Sequence, residues 1–97
     1  MNLNEIKPGM VVWLRCEVRR GPFPDERLVH VDTGISEWIG FVNVSELKEQ
    51  VATGEGRVRA IVLAVEERYV VVGIEGQSPT TSGSIQAQPS FIEHGAV

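Results

Sequence analysis

Between positions 10 and 20 apolar and polar side chains alternate. Val12, Leu14, Cys16 and Val18 fall on one face, and Val11, Trp13, Arg15, Glu17 and Arg19 on the other. A period of two in a run rich in β-branched residues predicts a half-buried β-strand. Gly21-Pro22-Phe23-Pro24-Asp25 interrupts it as a loop. Residues 27–32 predict a second strand, with Val29 and Val31 inward and Leu28 and His30 outward. Thr33-Gly34-Ile35-Ser36-Glu37 leads to a third strand over 38–43, and residues 44–50 predict a short helix or helical turn carrying Leu47. A fourth strand follows the Gly54-Glu55-Gly56 turn, with Val58, Ala60 and Val62 inward and Arg57 and Arg59 outward. Its alternation becomes a continuous apolar run at Ile61-Val62-Leu63, as expected where both faces are covered or the strand bends. Glu66-Glu67-Arg68 turns tightly into a fifth strand over 69–74.

Five short strands with regularly spaced turn signals predict an all-β fold, a small barrel or sandwich. Barrel closure removes the edges that such valine-rich strands otherwise present. Residues 1–76 are therefore read as one barrel domain. After Gly76 the composition changes, and Gln77-Ser78-Pro79-Thr80-Thr81-Ser82-Gly83-Ser84 reads as a flexible linker. The rest, to residue 97, offers Ile85, Phe91 and Ile92, too few apolar residues to fold alone. It is expected either to add an edge strand or to remain a flexible C-terminal tail.

Composition narrows the function. The chain has 97 residues, one domain's worth, with 42% hydrophobic residues. No apolar run approaches the roughly 18 residues of a membrane span. The first residues lack the basic start and apolar core of a signal peptide, so a cytoplasmic protein with no membrane partner is expected. Cys16 is the only cysteine and reads as a small buried hydrophobe. His30 and His94 have no ligand-type neighbours at metal-site spacing, and no metal or other cofactor is expected. Neither a nucleophile elbow nor a phosphate-cradling glycine loop is present, so the chain reads as non-enzymatic. The net charge of −4 counts against a phosphate-rich partner, which draws most of its affinity from Lys and Arg.

A further reading comes from likeness. Gly40-Phe41-Val42-Asn43-Val44-Ser45-Glu46-Leu47 resembles the Gly-Leu-Val-His-Ile-Ser-Glu-Leu signature of the ribosomal S-one RNA-binding domain. Val58-Arg59-Ala60-Ile61-Val62-Leu63-Ala64-Val65-Glu66 resembles a later strand of that family, and Lys7-Pro8-Gly9-Met10-Val11-Val12 its opening. The resemblance implies a five-stranded OB-fold barrel that binds single-stranded RNA across strands two and three. In it Phe41 stands for an outward Leu, Asn43 for a His and Leu28 for an outward Phe. Two of three platform positions thus lack a ring.

Two functions remain open. In the first, a nucleic-acid-binding module takes single-stranded RNA, or single-stranded DNA, on the outer face of strands two and three. Phe41 and His30 stack bases, Asn43 reads base edges, and Arg19, Arg20 and Arg27 hold phosphates, with Leu28 and Trp38 beside them. In the second, the same fold is a protein-interaction module anchored by Trp13, Trp38 and Phe41. Each residue also has a plainer role: Phe41 sealing the barrel, Trp13 packing under a terminal segment, Trp38 capping the barrel mouth, and the arginines forming a solvated rim. A positive groove past Phe41 favours RNA, and an apolar patch rimmed by carboxylates favours a protein. The sequence leaves the oligomeric state open.

Overall fold

The computed structural model describes residues 1–78 and 83–95. Seven strands are present among them: β1 (Val11–Arg20), β2 (Glu26–Asp32), β3 (Glu37–Asn43), β4 (Gly54–Val65), β5 (Val70–Ile74), β6 (Ser84–Ala87) and β7 (Ile92–His94). They form one antiparallel sheet in the order β3-β2-β1-β4-β5-β6, with β7 added to β1. The sheet curls into a nearly closed barrel. Phe41 in β3 exchanges both backbone hydrogen bonds with Gln77, and Thr33 Oγ1 donates to the carbonyl of Gln86 in β6.

The alternation read from the sequence is the alternation in space. Val12, Leu14, Val18, Val29, Val31, Val58, Val62, Val70 and Val72 are all at most 1% exposed and fill the barrel. Burying this much Val and Leu, at about 1.5–3 kcal/mol per side chain, is the main force holding the fold. Trp38 is the largest buried side chain, at 0% exposure. Its ring needs two glycines. A Cβ on Gly40 would stand 2.7 Å from Trp38 Cη2, and one on Gly76 would stand 2.9 Å from the same atom. Both distances are shorter than any tolerable carbon contact.

Two expectations are corrected. The barrel has seven strands, not five, because residues 84–94 bury Ile85, Ala87 and Ile92 against edges of β5 and β1. Too few apolar residues to fold alone are enough to complete a core that another segment began. Residues 79–82 of the expected linker lie outside the described residues. Of the short helix or helical turn expected over 44–50, the turn is present, a single 3-10 turn at Val44–Glu46, after which Leu47 pairs with Val58. Finally, Gly54-Glu55-Gly56, read as a turn, is the first part of β4, opposite Cys16, Glu17 and Val18.

β1 holds the architecture together. One edge pairs with β4 from Val11 to Val18. The other edge forks, with Val12–Leu14 pairing with β7 and Glu17–Arg20 pairing with β2. Among the described residues, no helix is long and apolar enough to cross a membrane.

Candidate interaction site

The register of β1, β2 and β3 decides which outward side chains meet. Arg19 lies beside Leu28 and Leu28 beside Phe41, while Glu17 lies beside His30 and His30 beside Ile39. The outer face therefore carries an apolar strip of Leu28, Ile39 and Phe41, with Ile39 41% exposed. A hollow of about 170 Å³ opens among Glu17, Arg19, Leu28, His30 and Ile39. A second one, of about 220 Å³, lies between Phe41, Asn43 and Gln77 with Asp25 and Glu26 on its wall. Two-residue alternation forces this grouping, since residues 37, 39, 41 and 43 must share one face.

The rim of the strip is acidic. Arg19 is tied to Glu17 at 2.9 Å, and His30 is hydrogen-bonded to Glu37. Asp32 Oδ1 accepts from the Gly34 backbone N–H, and Glu26 adds a further carboxylate opposite Asn43. Arg19 and His30 thus each stand against a carboxylate, with Glu26 and Asp32 in addition.

The other expected site residues divide. Arg20, at the end of β1, is exposed. Arg27 points away from the face, its Nε donating to the Val51 carbonyl and its Nη1 to those of Pro24 and Glu26, so it braces one barrel end. Asn43 caps the 3-10 turn, its Oδ1 accepting from the Ser45 N–H, which commits the group expected to read base edges. Trp38 is corrected outright: a side chain with no exposed surface contributes no ring to any partner. Trp13 is outward and half-buried, between Arg59 of β4 and Glu93 of β7.

A larger groove, about 880 Å³, follows the fork of β1 and is lined among others by Arg15, Glu17, Arg19, Arg20, His30 and Phe91. The Arg15 guanidinium lies 5.5 Å from the Phe91 ring centre, a cation–π contact that fixes the tail against β1. This groove and the hollow beside Ile39 share Glu17, Arg19 and His30, so they form one continuous track. Cys16 lies at its floor. Burial pushes the thiol up to about 12, with Arg57 opposing and Glu55 reinforcing the shift, so the sulfur is an unreactive hydrophobe. Among the described residues no three His, Cys, Asp or Glu side chains come together as a metal site.

Sequence reasoning missed Ile39 and Phe91. Ile39 was legible, two positions before Phe41 and of the same parity. Phe91 was not, because no local pattern ties it to Arg15. No family model matches the chain, and no curated protein or solved structure does either.

Proposed function

We propose that the chain is a non-enzymatic protein-interaction module. Its β2–β3 face takes an extended partner segment that presents apolar side chains flanked by Lys or Arg. The observation that carries this reading is the Leu28–Ile39–Phe41 strip set among Glu17, Glu26, Asp32 and Glu37. Apolar anchors at the centre and charge at the rim are how protein interfaces divide affinity from steering. The track from Ile39 past His30 to Phe91 gives such a segment room to lie along the surface.

Single-stranded RNA on an OB-type barrel is the second reading. It draws on the S-one resemblance and on Leu28, His30, Phe41 and Asn43 sharing one face. Charge sets it behind the first, because a phosphate backbone meets the carboxylates of Glu17, Glu26, Asp32 and Glu37 on that face, and the one guanidinium among them, Arg19, is already paired with Glu17.

The test is a nuclear magnetic resonance titration of the labelled protein at low salt. One arm uses a short peptide alternating leucine and lysine, and the other a single-stranded RNA pool. The peptide is expected to shift Leu28, His30, Ile39 and Phe41, and Ile39→Asp is expected to weaken that binding about tenfold. Ile39→Asp adds a carboxylate, so binding by charge alone would strengthen in that variant and overturn the proposal. Shifts at the same residues with RNA and none with peptide would put the RNA reading in its place.

A further inference from the structure

On the other side of the barrel, β1, β4 and β5 build a second outward apolar surface. Val11 lies beside Ile61, and Ile61 beside Gly73. Between Val62 and Ala64 the register of β4 against β5 shifts. Such a bulge inserts one extra residue and re-aims its side chain. Here that side chain is Leu63, 53% exposed, the most exposed aliphatic group of any strand. It leans over Gly73, where an added Cβ would stand 3.2 Å from Leu63 Cδ1. Half-buried Val71, opposite Ala64, extends the surface. Beside Leu63 lies a hollow of about 260 Å³ whose walls include Arg59, Ile61, Gly73 and Glu75. A projecting group and a recess are thus neighbours, flanked by one cation and one anion.

We propose that this face is the contact of a two-fold dimer of the chain. Leu63 of each copy enters the hollow beside Leu63 of the other, against Ile61, and Arg59 of each meets Glu75 of the other. A two-fold contact uses the same patch twice, so the patch must complement itself in shape and charge. This one does both. Exposed Glu75 has no ion pair among the described residues, and Arg59 has only a long one, 3.7 Å to Glu46. The neighbouring Arg57 is neutralised at close range by Glu93 at 2.7 Å and Glu55 at 3.2 Å. The Leu28–Ile39–Phe41 face has no such balance; its excess carboxylates would repel a second copy. A second molecule of this chain supplies the opposite member of each of these pairs, independently of what the β2–β3 face binds.

Sedimentation velocity of the full chain from micromolar to near-millimolar concentration tests this. The native chain is expected to pass from monomer to dimer across that range. Leu63→Glu is expected to raise the dissociation constant by about tenfold or more. Leu63→Gln serves in its place should the acidic variant fail to give the native circular dichroism spectrum. Arg59→Glu alone weakens the dimer, and Arg59→Glu combined with Glu75→Arg restores it. A native chain that stays monomeric throughout, a dimer indifferent to either Leu63 variant, or a double reversal that restores nothing would each overturn the proposal.

Discussion

The barrel has two outward apolar surfaces over one core, and they differ in how charge is arranged around them. Around Leu28, Ile39 and Phe41 the carboxylates Glu17, Glu26, Asp32 and Glu37 outnumber the basic side chains Arg19 and His30. Around Ile61 and Leu63, Arg59 and Glu75 stand one to one at the recess, while Arg57 beside them is held by Glu55 and Glu93. Apolar exposure is similar in kind, so hydrophobicity does not tell the two apart. A predominantly acidic rim asks for a partner of opposite charge, whereas a recess flanked by both signs is compatible with a copy of itself. Charge here distributes partners between faces more than it adds affinity.

The largest expected effect removes both faces together. Trp38→Ala empties the centre of the core and is expected to cost about 3–5 kcal/mol, measured by urea unfolding. A loss well under this would show that Trp38 is not the common support of the two surfaces. Cys16 offers a milder way to loosen the same support. Its folded pKa, about 12, lies above the ordinary 9.0, so the neutral buried thiol stabilises fully below pH 9. That contribution is lost as pH rises from about 9 to about 12. Cys16→Ala is expected to flatten this part of the stability profile, read by thermal melts at stepped pH.

The next effects should separate the faces. Ile39→Asp is expected to weaken binding of the leucine–lysine peptide about tenfold while leaving the sedimentation of the chain unchanged. Leu63→Glu should do the reverse. Crossed effects would merge the two surfaces into one. Smaller again is Glu37→Gln, expected to weaken peptide binding by a few-fold and to reduce its salt dependence, as loss of a rim charge does. The smallest is Glu93→Gln. It breaks the partly exposed pair with Arg57 and is expected to cost no more than about 1 kcal/mol of stability, by urea unfolding.

Much of the fold was legible because alternation is a local property. The inward sets Val12, Leu14, Cys16, Val18 and Val58, Ala60, Val62 were readable one residue at a time. What escaped depended on distant partners. Ile85, Ala87 and Ile92 look like a poor core by themselves and become strands only against other edges, Ile85 and Ala87 on the preceding β5 and Ile92 on the far earlier β1. Of the site, the outward parity of Leu28, His30 and Phe41 was legible. The fate of Arg27 was not, since one of its acceptors is the Val51 carbonyl in a remote turn. Asn43 is an instructive miss: followed by Val-Ser-Glu, it carried an N-cap signature open to local reading. Trp38 was misjudged because strand parity was weighed less than its position at the strand's start.

The forked edge of β1 also sets an order of events in time. Its seam with β2 closes through a short hairpin, but its seam with β7 joins residues from opposite ends of the chain. Contacts so far apart in sequence carry the largest loop-closure cost and form late. During synthesis the backbone groups of Val12 to Leu14 on that edge are expected to wait unpaired until Ile92–His94 emerges. That interval is when a neighbouring chain's strand has its opening, and the brief tail that ends it acts as a gatekeeper against mispairing.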